Sequence, residues 1–397
     1  MSPGDAADGR SAAAGAPTVA VVGGGQLARM MAEPAAALGI PLRLLAEAPG
    51  VSAAQVIPDH DVGDYTDLAT LQALVAGCRV VTFDHEHVPT GHLHVLEEEG
   101  IAVRPGPGAL VHAQDKLVMR AALAALGAPV PRFRAVSDAE EVADFGLPCV
   151  LKTSRGGYDG KGVWFVGTPE ECAPAFDAAA ATGSRILAEE RVDFRRELSA
   201  LVARSPSGQA AAYPVVESVQ RDGICHEVVA PAPSLSDGLA TQAQELALRI
   251  ARELDVTGIL AVELFETVDD RILVNELAMR PHNTGHWTQD GAVTSQFENH
   301  LRAVLDLPLG SPVARAPWTV MVNILGGPSD SGGLLYDGYP HALARDPRLR
   351  VHLYGKAPRP GRKVGHVNAY GDDLQECLER ARHAAAWFAG ELGDESE

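Results

Sequence analysis

The first part of the chain alternates between buried-strand and helical patterns. Residues 19–22 form a short continuous apolar run, which is typical of a buried parallel strand, and a helical pattern follows to about Leu38. Further strands are predicted at residues 41–46 and 79–83. Strands that alternate with helices favour a doubly wound α/β arrangement. The pattern therefore predicts an N-terminal α/β domain over residues 18–112.

The pattern changes in the next stretch, which we assign to residues 113–204. Residues 114–126 are predicted to form one helix that ends before Gly127. Short apolar runs separated by glycine-rich turns then predict four strands, at residues 149–152, 163–166, 185–190 and 198–202. Such a small α+β segment is interpreted as a mobile lid within a central region.

A third pattern covers the remainder of the chain. Residues 237–255 have the apolar periodicity of a helix, and two strands are predicted after it, at 258–265 and 271–277. These elements are assigned to a core over residues 205–310. A proline-rich passage then predicts a linker, and residues 311–397 are assigned to a smaller C-terminal domain.

Composition and charge narrow the classes of partner. The 397 residues are 46% hydrophobic, which favours a globular protein, and the net charge is −19. This charge disfavours binding to nucleic acid or to anionic membranes, so we expect neither as a partner. Five cysteines without a CxxC pair are expected to be free thiols in the cytoplasm. Residues 1–17 lack the features of a signal peptide and are expected to be a disordered lead-in.

A glycine-rich turn follows the first predicted strand. Gly23, Gly25 and Ala28 match the dinucleotide-binding pattern, and Glu47 ends the second strand. Glycines at this position let backbone N–H groups approach an anion at a helix N-terminus. The pattern is common in α/β domains, so an NAD-dependent oxidoreductase is kept only as an alternative.

A second glycine-rich loop, residues 156–162, carries four glycines between two predicted strands. A loop of this kind can fold over a triphosphate and donate several backbone N–H groups. Lys161 adds positive charge to the loop, and Lys152 lies on the preceding strand. These residues predict an ATP phosphate site, and the alternative is a merely flexible hairpin.

Two glutamates on neighbouring strands predict a divalent cation site. If the strands at 258–265 and 271–277 form a hairpin that turns at Asp269 and Asp270, Glu263 lies opposite Glu276. Two like charges that face each other are destabilising unless a cation lies between them, and oxygen ligands suit Mg²⁺. The alternative is a solvated strand face.

Two polar segments come later in the chain. Residues 280–287 carry Arg, His and Asn side chains that could hold a small oxyanion, and a polar loop with satisfied histidines is the alternative. A basic cluster at residues 356–363 is interpreted as a phosphate site, and a solvated basic loop is the alternative.

Taken together, these motifs resemble the 5-(carboxyamino)imidazole ribonucleotide synthase family of the ATP-grasp superfamily, over about residues 18–383. The motifs that carry the resemblance are residues 24–30 (GGQLARM), 156–162, 275–278 (NELA), 280–289 (RPHNTGHWTQ), 295–298 (SQFE) and 359–366 (RPGRKVGH). The resemblance implies an ATP-grasp fold with an N-terminal pre-ATP-grasp domain, a lid and a small C-terminal domain.

The resemblance also implies roles for individual residues. Residues 189–192 would form the adenine hinge and Glu197 would bind the ribose. The implied ATP site comprises Lys116, Lys152, Gly157, Tyr158, Asp159, Gly160, Lys161, Gly162, Val163, Glu189, Glu190, Arg191, Val192, Glu197, Gln220, Asn275 and Glu276. The metal ion, Mg²⁺ or alternatively Mn²⁺, would be held by Glu263 and Glu276.

The remaining implied residues bind the other substrates. The bicarbonate and acceptor pocket would be formed by Arg280, His282 and Asn283, with Tyr158 and Asp159 closing over it. The ribonucleotide acceptor would be contacted by Gln26, Leu27, Glu86, Lys356, Arg362 and Lys363.

The function implied by the resemblance is the carboxylation of 5-aminoimidazole ribonucleotide by ATP and bicarbonate through carboxyphosphate, in purine biosynthesis. A homodimer is expected from the same resemblance, and the cytoplasmic location is expected from the cysteines and the N-terminal residues. The alternatives are a formate-using ATP-grasp transformylase, the NAD-dependent oxidoreductase, and a nucleotide-binding module without catalytic activity.

Overall fold

The computed structural model describes residues 15–157, 160–327 and 335–392. The chain divides in sequence between Arg104 and Pro105 into two compact units. The expected lead-in lies outside the described residues up to residue 14. In the part of the chain that is described, no helix is long and apolar enough to cross a membrane.

Unit 1 contains a five-stranded sheet in which every neighbouring pair is parallel, with the order β3-β2-β1-β4-β5. Its strands are β1 (Val19–Val22), β2 (Leu42–Ala46), β3 (His60–Val62), β4 (Val80–Phe83) and β5 (Ala102–Val103). Its helices are α1 (Gln26–Leu38), α2 (Leu68–Val75) and α3 (Thr90–Glu98). The predicted doubly wound α/β arrangement is confirmed. The strand order reverses beside β1, and ligands bind at the carboxyl ends of strands at such a point.

Unit 2 contains a four-stranded antiparallel sheet with the order β6-β9-β7-β8. Its strands are β6 (Phe133–Val136), β7 (Cys149–Thr153), β8 (Val163–Val166) and β9 (Ile186–Glu190). The helices that precede or accompany it are α4 (Pro107–Gln114), α5 (Lys116–Ala125), α6 (Ala139–Phe145) and α7 (Ala173–Thr182). A core that includes Val142 and Leu151 packs helix α6 against the sheet.

The helix predicted at residues 114–126 is confirmed as α5, although α5 starts two residues later than predicted, and the separate helix α4 meets it at Asp115. The Asp115 carboxylate accepts hydrogen bonds from the backbone N–H groups of Leu117 and Val118, at 3.0 and 3.3 Å. This is an N-cap, which ends one helix and starts the next with Lys116 as its first residue.

Unit 2 also contains a nine-stranded sheet in which every described pair is antiparallel. Eight strands follow the order β15-β14-β10-β12-β13-β16-β18-β17, and β11 pairs with β10. The strands are β10 (Phe194–Arg204), β11 (Ala210–Ala212), β12 (Val216–Arg221), β13 (Ile224–Ala230), β14 (Gly258–Thr267), β15 (Ile272–Ala278), β16 (Trp318–Leu325), β17 (Arg350–Leu353) and β18 (Lys363–Gly371). The associated helices are α8 (Asp237–Glu253), α9 (Thr288–Gly291), α10 (Gln296–Val304), α11 (Tyr339–Arg345) and α12 (Leu374–Phe388). Strands from the segment assigned to the C-terminal domain thus continue the sheet of the core.

Candidate active site

The two glutamates of the β14–β15 hairpin lie directly opposite each other. Glu263 pairs with Glu276, as predicted, but the turn that joins the strands differs from the prediction. Thr267 donates its N–H to the carbonyl of Arg271 at 2.9 Å, so the turn has three residues and not two. A β-bulge at Asn275 shifts the register by one residue and returns Glu276 to its position opposite Glu263.

This bulge changes which side chains reach the same face of the sheet. Consecutive residues of a regular strand point to opposite faces, and a bulge re-aims them locally. Asn275 and Glu276 are both half-buried, whereas Val274 and Leu277 on either side are buried. Both side chains bind lysines, because Lys152 donates to Asn275 Oδ1 at 3.2 Å and Lys116 donates to Glu276 at 2.7 Å.

Glu263 lies near two other carboxylates and two cationic side chains. Burial and the nearby carboxylates of Glu276 and Glu197 raise the pKa of Glu263 to about 8, although Lys363 and Arg280 lower it in part. Glu197 lies on β10, beside β14, and burial raises the pKa of its carboxyl to about 7. The repulsion between these carboxylates and Glu263 is only partly offset by Lys363 and Arg280, which leaves a site where a further cation would be favourable.

Glu276 behaves differently because it already faces lysines. Burial alone would raise its pKa, but Lys116 and Lys152 lower it below the ordinary value for glutamate. The Asp115 cap places Lys116 at the first turn of α5, and the Lys116 N–H donates to the carbonyl of Ser154 at 2.8 Å. The backbone at Lys116 is thereby tied to Ser154, which directly follows strand β7, and the lysine side chain extends from this fixed point to Glu276.

A buried ion network connects the small sheet to the hairpin. Lys152 lies 2.6 Å from Glu189, and Arg120 donates to the other oxygen of the same carboxylate. Burial alone would raise the pKa of Glu189, but Lys152 and Arg120 lower it to about 2. Arg120 also donates to the backbone carbonyl of Asn275 at 2.6 Å. The Glu189 side chain is therefore occupied by two cations, and the other residues of the expected hinge, Glu190, Arg191 and Val192, follow it at the end of β9.

The glycine-rich loop is shaped by contacts that exclude side chains. Gly160 and Gly162 have φ angles of +76° and +74°. A Cβ atom at Gly162 would lie 2.5 Å from Thr153 Oγ1, and one at Gly160 would lie 3.2 Å from Gly223 of the β12–β13 turn. Only glycine fits both conditions.

Other residues implied in the nucleotide site lie around this loop. Lys161 is part of it, Val163 begins β8, and Gly157 approaches the Lys161 carbonyl so closely that a Cβ atom would lie 2.7 Å from it. Tyr158 and Asp159 lie outside the described residues. Gln220, on β12, donates to Ser218 at 2.8 Å, and Ser218 pairs with Glu197.

The segment after β15 brings His282 to the carboxylate pair. Its Nε2 atom lies 3.4 Å from Glu263 Oε1, and the N–H of Thr284 donates to its Nδ1 atom. Burial, with Arg280 and Lys363 nearby, lowers the pKa of His282 well below its usual range. The ring is therefore neutral, and its proton lies on Nε2, which faces Glu263.

Asn283 is the next residue and has a different environment. Its amide nitrogen and oxygen are both buried, and their neighbour is the buried Cys225 thiol, a weak hydrogen-bonding group. Buried polar atoms normally have strong partners, so an amide that faces only a thiol is a candidate for contact with a bound ligand.

The basic residues at 356–363 have different surroundings in the structure. Lys363 begins β18, and its charge lowers the pKa of Glu263 and of His286, so it lies close to the carboxylate pocket. Arg362 donates to the carbonyl of Ala357 at 3.2 Å, and the Lys356 ammonium lies 5.9 Å from the centre of the Tyr354 ring. The last two residues belong to the loop that leads into β18.

The first glycine turn, in unit 1, is occupied by carboxylates. Asp84 accepts the N–H of Ala28 at 2.7 Å, in the first turn of α1, and Glu47 accepts the N–H of Gly24 at 2.9 Å. A Cβ atom at Gly25 would lie 2.1 Å from Asp84 Oδ2. A dinucleotide pyrophosphate would meet two negative charges here, which counts against the oxidoreductase alternative.

The residues of unit 1 expected to contact the acceptor share one edge of its sheet. Gln26 and Leu27 begin α1 just beyond the end of β1, and Glu86 follows β4 by three residues. Because β1 and β4 are parallel neighbours, their carboxyl ends meet at the edge where the strand order reverses.

Sequence reasoning missed three residues that position this site. Asp115 caps α5, and an Asp directly before a helical pattern is a recognised signal. Arg120 lies at the same helical spacing as the buried Leu117 and Leu123, and an arginine within such an apolar stripe was the available signal. Gln296 binds the His282 backbone, and only the SQFE motif marked it.

Three known protein families match consecutive parts of this chain. The ribonucleotide synthetase preATP-grasp domain family matches residues 16–114, the ATP-grasp domain family matches residues 121–297, and the phosphoribosylaminoimidazole carboxylase C-terminal domain family matches residues 319–380. The fold and site therefore define an ADP-forming ligase of the ATP-grasp superfamily, which confirms the expected fold and enzyme class.

Individual relatives narrow the assignment. The chain is 56% identical to N5-carboxyaminoimidazole ribonucleotide synthase of Mycobacterium bovis, over 94% of this chain and 88% of the relative. It is 52% identical to the enzyme of the same name from Corynebacterium ammoniagenes, over 94% and 92%. The chain belongs to the N5-carboxyaminoimidazole ribonucleotide synthase family, which confirms the resemblance drawn from the motifs.

Solved structures give the same picture. The crystal structure of an ADP complex of an N5-carboxyaminoimidazole ribonucleotide synthetase matches with a TM-score of 0.85 and 36% identity, over 95% of this chain and 99% of that chain. The Aspergillus clavatus enzyme, in complex with ADP and 5-aminoimidazole ribonucleotide, matches with a TM-score of 0.85 and 32% identity, over 95% and 99%.

Proposed function

We propose that this chain carboxylates 5-aminoimidazole ribonucleotide with ATP and bicarbonate, and releases ADP and phosphate. The observation that carries the proposal is the pairing of Glu263 with Glu276, with Lys116 and Lys152 in hydrogen-bond contact with the same hairpin. The Aspergillus clavatus relative was crystallised with both ADP and 5-aminoimidazole ribonucleotide, which supports the same pair of substrates here.

We assign a magnesium ion, or manganese in its place, to Glu263 and Glu276. The donor set fits, because the raised pKa of Glu263 reflects burial and carboxylate repulsion that a divalent cation would relieve. Within the described residues no cluster of three or more His, Cys, Asp or Glu side chains has the geometry of a metal site. Two carboxylates alone suit Mg²⁺, which keeps waters and takes substrate phosphates as its other ligands. When bound, the ion neutralises charge on the phosphoryl oxygens.

The nucleotide is assigned to the junction of the two sheets of unit 2. Lys116 and Lys152 offset charge on the phosphates, and the loop at residues 156–162 supplies backbone N–H groups. The hinge backbone at residues 189–192 is proposed to bind the adenine, and Glu197 the ribose. The other proposed nucleotide contacts are Tyr158, Asp159, Gln220 and Asn275.

Bicarbonate is assigned to the pocket beside the carboxylate pair. Arg280 and Lys363 supply positive charge, and the amide of Asn283 offers a donor and an acceptor. His282 is neutral, and its Nε2–H can donate a hydrogen bond to an oxygen of bicarbonate. Because Nε2 already carries a proton, this atom is not a base for the weakly nucleophilic amine. Bicarbonate is a poor electrophile, and its phosphorylation gives carboxyphosphate, which then carboxylates the amine. Closure over this pocket excludes the water that would hydrolyse the intermediate.

The acceptor ribonucleotide is assigned to two sets of residues. Its ring and ribose are proposed to contact Gln26, Leu27 and Glu86, and Tyr158 and Asp159 are proposed to close over it. Its phosphate is proposed to bind Lys356, Arg362 and Lys363, because arginine and lysine are suited to phosphate oxygens. We further propose a homodimer that acts in the cytoplasm, where purine biosynthesis supplies the substrates.

The decisive experiment is an assay of ADP release with three substrate combinations. With ATP and Mg²⁺, bicarbonate together with 5-aminoimidazole ribonucleotide should stimulate ADP release, and either one alone should not reach the same rate. Stimulation by formate in place of bicarbonate would instead support the transformylase alternative. ATP binding without any ribonucleotide-dependent ADP release would support a non-catalytic module and overturn the proposal.

A further inference from the structure

The side chain of Gln296 forms a reciprocal pair of hydrogen bonds with the peptide groups of His282. The His282 N–H donates to Gln296 Oε1 at 2.8 Å, and Gln296 Nε2 donates to the His282 carbonyl at 2.8 Å. Donor and acceptor are exchanged in both directions, as between paired residues of two strands. One side chain therefore holds both backbone polar groups of His282.

The same amide makes a third contact within the segment. Gln296 Nε2 lies 3.0 Å from His286 Nδ1, and because the amide nitrogen can only donate, Nδ1 of the ring must accept. Burial lowers the pKa of His286 well below its usual range, so this ring stays neutral with its proton on Nε2. Gln296 thus spans both ends of the turn at residues 283–285 that follows His282.

Local structure is adapted to bring Gln296 to this position. It is the first residue of α10, is completely buried, and donates its own N–H to Thr288 Oγ1 at 2.9 Å. Thr288 in turn donates to the carbonyl of Gly285 at 2.6 Å. A Cβ atom at Gly285 would lie 2.4 Å from Gln296 Oε1, so the glycine leaves the space that the amide occupies.

We infer that Gln296 is a positioning residue that aims the His282 imidazole at the Glu263 pocket. This inference rests on the proposed function, which assigns the small oxyanion to that pocket. Gln296 touches neither carboxylate of the pair in the described contacts, so its effect passes through the His282 backbone. Without these backbone hydrogen bonds, the His282 ring would no longer be held with its Nε2 atom 3.4 Å from Glu263. A displacement of about 1 Å in an active site is enough to slow an enzyme markedly.

The helix offers a matched control in Asn299, one turn further along. Asn299 is also completely buried, and its side chain also makes three hydrogen bonds, with Tyr213 Oη and with the N–H and carbonyl groups of Gly310. None of these bonds involves the segment at residues 280–286. A substitution at Asn299 therefore imposes the same kind of loss of buried hydrogen bonds without releasing His282.

The test compares Gln296→Met with Asn299→Leu in the full chain. Thermal unfolding is measured for both, and kcat and the KM values for bicarbonate and for ATP are measured well below both melting temperatures. We expect both variants to melt at a lower temperature than the wild type. Only Gln296→Met should lose about tenfold or more in kcat/KM for bicarbonate, while the KM for ATP changes by about twofold or less. Equal kinetic losses in the two variants, or equal changes for bicarbonate and ATP, would overturn the inference.

A second variant, Gln296→Glu, keeps the inference testable if Gln296→Met does not fold. A protonated Glu retains the acceptor for the His282 N–H and one donor, whereas the ionised form has no donor. The kcat/KM for bicarbonate, relative to wild type at the same pH, should therefore rise as the pH is lowered from about 8 to about 6. A ratio that does not change with pH would count against the inference. Failure of the proposed function itself would differ, because the wild type would then show no bicarbonate-stimulated ADP release.

Discussion

Arg120 donates a hydrogen bond of 2.6 Å to the backbone carbonyl of Asn275, the bulged residue immediately before Glu276. The same guanidinium binds the Glu189 carboxylate, which is only 3% exposed. One arginine therefore connects the end of the small sheet to the strand that carries a proposed metal ligand. Both of its partners, a backbone carbonyl and a carboxylate, are polar groups whose burial is costly unless they accept hydrogen bonds.

The variant Arg120→Met should lower the free energy of unfolding by about 3–5 kcal/mol, because it leaves Glu189 buried with one cation fewer. Urea unfolding at neutral pH measures the change. Arg252→Met is a suitable control, since Arg252 and its partner Glu253 are 69% and 39% exposed, and should cost about 1 kcal/mol or less. Equal and small losses in both variants would show that the buried network does not stabilise the fold.

The variant Glu263→Gln should stabilise the metal-free protein at alkaline pH. The pKa of Glu263 is about 8 in the folded chain and 4.5 for an ordinary glutamate, so the folded state binds its proton more tightly. The contribution of the protonated Glu263 carboxyl to the free energy of unfolding is fully present below pH 4.5 and is lost as the pH rises through 8. A neutral glutamine avoids this loss.

Melting temperatures in the presence of a chelator, at pH 8 and at pH 4.5, measure this effect. The advantage of Glu263→Gln should be present at pH 8 and absent at pH 4.5. Added Mg²⁺ and ATP should then raise the melting temperature of the wild type more than that of the variant. A metal-free variant that melts below the wild type at pH 8 would contradict the electrostatic account.

The variant Gly162→Ala should weaken ATP binding by about tenfold or more, because its Cβ atom would lie 2.5 Å from Thr153 Oγ1 and force the loop to move. Gly183→Ala provides the control. Gly183 has a similar positive φ of +66° at the end of α7, but a Cβ atom there would have no neighbour within 4 Å among the described residues. Both variants carry a backbone penalty of about 1 kcal/mol. Equal KM values for ATP in the two variants would remove the glycine-rich loop from the nucleotide site.

Buried histidines should make the protein sensitive to acid. Burial lowers the pKa of His300 to about 3, and its Nδ1 atom accepts the N–H of Ile259 at 3.2 Å. The unfolded chain binds this proton near pH 6.5, so the stability that depends on a neutral His300 is present above pH 6.5 and is lost as the pH falls towards 3.

Urea unfolding between pH 7 and pH 5 checks this prediction with the variant His300→Gln. Its stability should fall less steeply with decreasing pH than that of the wild type, and a residual slope should remain because His282, His286 and His366 are also held neutral. Identical slopes for His300→Gln and the wild type would rule out a contribution from His300.

The sequence was sufficient to predict the pairing of Glu263 with Glu276, but for an incomplete reason. Counting outward from a two-residue turn gave the correct partner, whereas the structure has a three-residue turn and a compensating bulge at Asn275. Such a bulge depends on contacts from distant segments, because Arg120 holds the carbonyl of Asn275 and Lys152 holds its side chain. Periodicity along one strand does not contain that information.

Other elements of the fold also separate into those that local sequence predicts and those that depend on distant contacts. Continuous apolar runs predicted β1 and β8 with their observed bounds, because a preference for strand formation is a local property, although only β1 is fully buried. The predicted start of α5 was two residues too early, because apolar spacing alone does not mark the Asp115 cap at which the helix begins. The role of Gln296 could not be derived from local sequence, because its partners come from a different segment that only the folded chain brings near.

The most direct test of the central claim measures ADP release with ATP, Mg²⁺, bicarbonate and 5-aminoimidazole ribonucleotide for the wild type and two variants. Glu276→Gln removes one of the facing carboxylates, and Glu217→Gln removes a half-buried glutamate that pairs with Arg196 on the same sheet. We predict that Glu276→Gln remains folded but loses about 100-fold or more in turnover, while Glu217→Gln stays within about twofold of the wild type. Turnover of Glu276→Gln close to that of the wild type would contradict the claim that these two carboxylates hold the catalytic metal ion.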